Sequence, residues 1–146
     1  MVTQLPIFHG APVFRTMDDF LEVFLAVPLH VMVRFGRWTE ILSEPLPPNA
    51  DDPEAEEFPR FAATLAVQRY ARSVALAALS RVNEAEAEAG LFEVARGKVP
   101  GTRKHMIYNS YADVLEVASA MVAGEISYRK GNTGAICTTF YCFLLC

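Results

Sequence analysis

One stretch of the sequence decides the fold: Pro28-Leu29-His30-Val31-Met32-Val33-Arg34-Phe35-Gly36-Arg37-Trp38-Thr39-Glu40-Ile41. An apolar helical pattern ends at a small residue, and a second helical pattern starts one residue later. Ser80-Arg81-Val82-Asn83-Glu84-Ala85 has the same arrangement, and Arg129-Lys130-Gly131 closes a third helical stretch on a small residue. Small residues at helix ends accept the left-handed C′ conformation. The pattern therefore predicts helix–turn–helix units that stack side by side.

Apolar spacing and capping residues set the limits of the predicted helices. We expect helices at 17–35, 38–43, 60–79, 82–96 and 111–130, the last one capped by Ser110 with Asp113 three residues later. Pro28 lacks an N–H group and should kink or split the first helix. Strand propensity is confined to residues 136–145, so the predicted fold class is all-α, with about two and a half stacked antiparallel hairpins.

The predicted domain organisation has three parts. Residues 1–15 are irregular, 16–131 form the helical domain, and 132–146 form an uncharged, β-prone tail that contains all the cysteines. Two loops, 44–58 and 97–109, interrupt the helical domain. The first is acidic and proline-rich, which favours a solvated insertion over a docking segment.

Composition and charge exclude several classes of function. The chain has 146 residues, is 52% hydrophobic, and carries a net charge of −4 with scattered basic residues, so it offers no footprint for nucleic acid. The first twenty residues contain no continuous apolar core and no apolar run is long enough to span a membrane, so we expect no signal peptide and a cytoplasmic location. Cys137, Cys142 and Cys146 match neither a disulfide framework nor a zinc pattern.

Motifs for catalysis and cofactor binding are missing from the sequence. The three histidines, His9, His30 and His105, lack metal-site spacing, and neither a nucleophile elbow nor a phosphate-binding glycine loop is present. The neighbouring aromatic residues Phe35 and Trp38 could form a ligand cage, but their spacing around a helix turn favours core packing. We therefore expect no cofactor, no metal and no enzymatic activity.

The three turns, taken together, resemble those of tetratricopeptide-repeat (TPR) proteins, particularly uncharacterised fungal and bacterial TPR-domain proteins. Gly36 and Trp38 match the small turn residue and the following aromatic, and Ser73 and Gly124 stand at the close-packing glycine position. The turns are 44 and 51 residues apart, whereas the repeat takes 34, and the two loops absorb the excess. The resemblance covers residues 20–131 and implies a TPR-like α-solenoid.

The chain departs from the family pattern after Gly131, where a second helix is expected and the apolar tail stands instead. We expect this tail to be aberrant, from a shifted reading frame or a retained intron, and the chain to be a fragment of a longer repeat protein. Because the tail is β-prone, uncharged and free of proline, it favours self-association.

The resemblance also implies where a partner would bind, since the first helix of each TPR unit lines a concave groove. The implied groove residues are His30, Arg34, Tyr70, Glu125, Tyr128 and Arg129. The basic clamp that holds a chaperone's terminal carboxylate is missing, because Ala26, His30, Val67 and Ala71 stand in its places. A mixed polar and aromatic groove favours a helix or an extended peptide.

Three hypotheses about function follow from the sequence. The first is a protein–protein interaction scaffold that binds a peptide or helix in the groove. The second is a truncated, self-associating fragment without independent function. The third is a small helical enzyme or metal binder, for which the sequence offers no motif.

Overall fold

The computed structural model describes residues 18–47, 62–105 and 109–132, and the protein is mostly helical. Its elements, in chain order, are α1 (Asp18–Arg34), α2 (Trp38–Ser43), α3 (Ala62–Ala78), α4 (Val82–Gly97), β1 (Lys104–His105), β2 (Asn109–Ser110) and α5 (Tyr111–Arg129). The all-α prediction is confirmed, and the described helix ends lie within two residues of the predicted ones. No helix in the described ranges is long and apolar enough to cross a membrane.

The three predicted turn residues share one backbone conformation. Gly36, Ser80 and Gly131 have φ values of 67°, 62° and 78°, which lie in the left-handed region. At Gly36, the amide of the turn residue donates to Val33 O, and the next amide, that of Arg37, donates to Met32 O. The same two hydrogen bonds recur at Ser80 and Gly131, so α1, α3 and α5 all end in a Schellman motif.

The same short sequence also starts α2 and α4 in the same way. Arg37 and Arg81 are the N-cap residues, with nearly equal dihedral angles, and each forms an ion pair with the glutamate three residues later, Glu40 or Glu84. A carboxylate in the first helical turn interacts favourably with the exposed amides there. The sequence repeat is therefore a repeat in local structure.

Helix α3 lies at the centre of the described domain. It packs against α1, α2, α4 and α5, and almost all of its residues are buried, including six alanines with at most 1% exposure. Small side chains let neighbouring helices approach closely, while Leu65, Val67 and Leu76 fill the space between them. Helix α5 in turn packs against α3 and α4.

Of the two predicted effects of Pro28, the split of the first helix is wrong, because α1 is a single helix from Asp18 to Arg34, while the kink stays a prediction. Pro28 lies on the exposed side of α1, while Ala26 and Leu29 are buried beside it. The packing of these neighbours holds the helix together on both sides of the proline. The missing N–H group therefore costs less than it would in the core.

Two further expectations need correction. Phe35 was expected in the core but is 75% exposed, because it is the last residue before the turn and faces away from α3. Of the pair Phe35 and Trp38, it is Trp38 that packs against the core. The predicted loop 97–109 forms, together with Ser110, a two-residue antiparallel ladder that pairs Lys104 with Ser110 and His105 with Asn109. These residue types have low strand propensity, so tertiary contacts rather than sequence preference hold the ladder.

Some predictions fall outside the described residues. They concern the irregular segment 1–15, most of the loop 44–58, and the tail 132–146 apart from Asn132. Within the described part of that loop, Pro45 O accepts a hydrogen bond from Gln68 Nε2 at 2.8 Å. The start of the loop is therefore fixed to α3.

Candidate functional site

The predicted groove residues belong to α1, α3 and α5, and the structure places α1 and α5 on different sides of α3. Thr64 of α3 contacts Glu22 of α1, and Tyr70 of α3 contacts Met121 of α5. Thr64 and Tyr70 are six residues apart, which places them about 120° apart around a helix. We call the surface between the outer ends of α1 and α5 the α1–α5 face.

On the α1 side, His30 and Arg34 are both exposed and lie one helical turn apart, so they share one side of α1. The pKa of His30 is lowered, first by partial desolvation of its ring and second by the nearby His105. His30 is therefore neutral at pH 7, while Arg34 carries the positive charge of this side. No ion pair of Arg34 occurs in the described part of the chain.

On the α5 side, Glu125, Tyr128 and Arg129 form one cluster. Arg129 Nε lies 2.8 Å from Glu125 Oε1, and the Arg129 guanidinium lies 5.4 Å from the centre of the Tyr128 ring. Tyr128 is 57% exposed. The cluster thus presents an aromatic ring with a cation fixed above it, a combination suited to recognition rather than to proton transfer.

Tyr70 lies elsewhere than the groove prediction implies. It is only 6% exposed, its ring centroid is 6.4 Å from that of Phe92, and its hydroxyl lies 3.7 Å from Met121 Sδ. Burial raises the pKa of the Tyr70 hydroxyl. The Tyr70 ring therefore lies at the junction of α3, α4 and α5, where it contacts Phe92 of α4 and Met121 of α5.

The linker between α4 and α5 reaches across to α1, which the sequence did not indicate. Arg103 Nη1 lies 2.7 Å from Glu22 Oε2, and the side chains are only 11% and 2% exposed. His105 of β1 stacks edge-on against Tyr111, with ring centroids 5.0 Å apart. The linker therefore packs against α1, and the exposed groove candidates His30, Arg34, Tyr128 and Arg129 lie in the C-terminal halves of α1 and α5.

A second polar cluster lies on the other side of α3, towards α2 and α4. Glu88 Oε1 accepts from Arg69 Nη1 at 3.0 Å and from Arg72 Nε at 3.1 Å, and Arg72 Nη1 also donates to Leu42 O. An open cleft of about 390 Å³ lies over this cluster, lined also by the Arg81–Glu84 pair. Each of these charges is paired within the protein, and the cluster links α3 to α4 and to the end of α2.

Among the residues that the structure describes, no group of three histidine, cysteine, aspartate or glutamate side chains could hold a metal ion. The α1–α5 face carries two arginines, one glutamate, one imidazole and one exposed aromatic ring. Such a face can contact a partner through stacking, ion pairs and hydrogen bonds.

The chain was compared with protein-family models, with curated proteins and with solved structures. No family model, no curated protein and no solved structure matches the chain. What bears on function is therefore the contacts, exposures and charges of the described residues.

Proposed function

We propose that the chain is a TPR-type interaction scaffold that binds a peptide or a short helix on the α1–α5 face. The observation that carries the proposal is the repeated turn. Two left-handed residues, Gly36 and Ser80, are each followed by an arginine N-cap and its glutamate, and then by a fully buried residue, Ile41 or Ala85. Repetition of a whole hairpin turn in this way is typical of α-solenoids.

The order of helix contacts also supports stacked hairpins. In such a stack, the first helix of each hairpin packs against both helices of the preceding hairpin. Helix α3 packs against both α1 and α2, and α5 packs against both α3 and α4. In a stack of this kind the first helices share one face, and His30, Arg34, Tyr128 and Arg129 all belong to first helices, α1 and α5.

The chemistry of this face favours a partner with both apolar and acidic groups. Tyr128 offers a half-exposed ring, the kind of anchor that often dominates the energy of an interface. Arg34 and Arg129 carry two positive charges against the single negative charge of Glu125. Side chains of this type suit a helix or an extended peptide with a carboxylate near an apolar residue.

Selection from a peptide display library against the purified full chain tests the proposal. We expect enriched peptides, whose affinity falls about tenfold or more when Tyr128→Ala or Arg34→Ala is introduced, since truncation of a central anchor costs about 2 kcal/mol. Affinity is measured by fluorescence anisotropy with a labelled peptide.

Asn83→Ala, an exposed position on α4, is the matched control and should leave affinity unchanged. The proposal fails if no peptide is enriched. It also fails if the enriched peptides bind the Tyr128 and Arg34 variants as tightly as they bind the original chain while circular dichroism shows those variants folded.

A further inference from the structure

The three left-handed turns also indicate the direction that the chain takes after α5. At each turn, the amide that follows the left-handed residue donates to the carbonyl four positions before that residue. The pairs are Arg37 N with Met32 O, Arg81 N with Leu76 O, and Asn132 N with Ser127 O. After the first two turns, α2 and α4 begin at once and pack back against the helix that the chain has just left. The third turn therefore directs the chain back along α5.

Gly124 of α5 is buried on a side of the helix that is turned away from α3 and α4. It lies about 180° around the helix from Leu115, which belongs to the core shared with α3. Helix α4 contacts α5 at Ser119, about 140° from Gly124. Even the contact of Tyr70 with Met121 is about 60° away.

The burial of Gly124 indicates a neighbour outside α5. Gly90 of α4 is a useful comparison, because both glycines have two short and two longer side chains three and four residues away. Gly90 is nevertheless exposed, and a Cβ added there meets nothing within 4 Å. The surrounding helix therefore does not bury a glycine by itself.

The position of Gly124 has an equivalent in the two earlier hairpins. Gly124 lies seven residues before its turn residue, as do Leu29 in α1 and Ser73 in α3, which are 6% and 0% exposed. Arg69, one helical turn before Ser73, contacts Glu88 of α4. In the α3–α4 hairpin, the helix that follows the turn thus lies beside this position.

We propose that residues 133–146 of this chain cover Gly124, in the place that α4 takes beside Ser73. Asn132 is the last described residue and follows the turn at the end of α5, so the segment starts next to the surface that it covers. Its 14 residues span about 21 Å as a helix and about 46 Å fully extended. The distance along α5 from Gly131 back to Val117 is also about 21 Å, so either conformation reaches Val117.

The two surfaces match in chemistry. The segment has no charged residue and contains Ile136, Phe140 and Phe143. The side of α5 that it covers, which we call the Gly124 side, is uncharged as well and consists of Val117, Ala120, Gly124 and Ser127. Contact between them removes apolar surface from water without burying a charge. The proposal does not depend on peptide binding to the α1–α5 face, so either can fail alone.

Disulfide trapping in the full chain tests the proposal, because all the cysteines of the chain lie in residues 133–146. Ala120→Cys places a thiol on the Gly124 side, and mild oxidation should join it to a cysteine of the same chain. Ala87→Cys, at an exposed alanine of α4, is the matched control. Because thiols held side by side react faster than thiols that meet by chance, trapping should be at least about tenfold faster for Ala120→Cys. Mass spectrometry of non-reduced digests identifies the linked pair.

Gly124→Leu provides a second measurement that needs no added cysteine. The larger side chain should displace the segment, because overpacking shifts a closed contact towards its open state. The native cysteines should then react with a thiol reagent about tenfold faster than in the original chain. Gly90→Leu is the matched control and should leave the rate unchanged, since a Cβ added at Gly90 meets nothing. Circular dichroism shows whether each variant is folded.

Other results overturn the proposal. It is wrong if folded Ala120→Cys is trapped no faster than Ala87→Cys. Disulfides that join two chains would place the segment of a second copy on α5 instead. Equal thiol reactivity of folded Gly124→Leu and Gly90→Leu would also contradict it. If Gly124→Leu does not fold, the trapping experiment decides alone.

Discussion

Arg103 Nη1 donates to Glu22 Oε2 at 2.7 Å, although the two residues lie 81 positions apart in the chain. The other carboxylate oxygen of Glu22 accepts from Thr64 N at 2.8 Å and from Thr64 Oγ1 at 3.0 Å. Thr64 lies in the first turn of α3, where backbone amides have no partner within the helix. One buried carboxylate on α1 therefore caps α3 and fixes the α4–α5 linker.

Removal of Arg103 should destabilise the fold strongly. In Arg103→Ala, the buried Glu22 carboxylate loses the guanidinium nitrogen that lies 2.7 Å from it, and removal of one partner of a buried pair costs about 3–5 kcal/mol. The free energy of unfolding from urea titrations measures the loss. The matched control is Arg37→Ala, which breaks a pair whose side chains are 55% and 49% exposed and should cost at most about 1 kcal/mol. Equal losses in the two variants would contradict the clamp role of Glu22.

The left-handed turns predict opposite effects of glycine and alanine. Ser80 has φ 62° and therefore carries a steric cost that glycine avoids, so Ser80→Gly should stabilise the fold by up to about 1 kcal/mol. Gly36→Ala should destabilise it by about 1 kcal/mol. An added Cβ at Gly36 meets the Trp38 ring only at 3.6 Å, which is ordinary contact, so the cost is one of backbone conformation alone.

Gly131→Ala is the control for Gly36→Ala, because Gly131 also has a positive φ, 78°, and a Cβ added there meets nothing within 4 Å. It should lower the free energy of unfolding by an amount similar to that for Gly36→Ala. Thermal unfolding followed by circular dichroism gives all three values. A destabilising Ser80→Gly would mean that the serine side chain contributes more than its backbone conformation costs.

The features that the sequence predicted are those set by neighbours along the chain. A small residue after an apolar helical stretch predicted the turns at Gly36, Ser80 and Gly131. Ser110 followed by Asp113 predicted the N-cap of α5, and the Ser110 side chain accepts a hydrogen bond from the Asp113 amide. Helix limits followed because capping and apolar spacing act within a few residues. The all-α class needed no more than these local signals.

The features that the sequence did not predict depend on distant partners. Nothing near Glu22 indicates Arg103, and nothing near Glu88 indicates Arg69, because such pairs form only when the helices have packed. The groove position of Tyr70 was inferred from a repeat pattern, whereas the structure buries that ring beside Phe92 and under Met121. Of the candidate site, the exposed residues of α1 and α5 could be named from sequence, but their surroundings could not.

The buried ion-pair cluster of α3 and α4 should respond differently to partial and complete removal. In Glu88→Ala, the Arg69 and Arg72 guanidinium groups lose their shared carboxylate, and a loss of about 3–5 kcal/mol is expected. Replacing all three charged residues at once with apolar residues of similar size should recover much of that loss. Urea titrations of the single and triple variants provide the test. A triple variant less stable than Glu88→Ala would show that the charges contribute net stability.

The lowered pKa of His30 gives the stability of the fold a dependence on pH with a definite sign. In the unfolded chain the imidazole titrates near its ordinary value of about 6.5, whereas in the folded protein desolvation and then His105 lower its pKa. Between these two values the unfolded state binds more protons, so the free energy of unfolding rises with pH in that window. Acidification through pH 6.5 should therefore remove stability, and the loss is complete below the lowered pKa of the folded protein.

His30→Gln removes this contribution while leaving the carboxylates that titrate at lower pH. The difference in free energy of unfolding between pH 7.5 and pH 5.5 should therefore be smaller in His30→Gln than in the original chain. His105→Gln should reduce the difference only in part, since desolvation, the larger cause, remains. The explanation is wrong if the original chain and His30→Gln lose the same stability on acidification, or if the original chain alone gains stability.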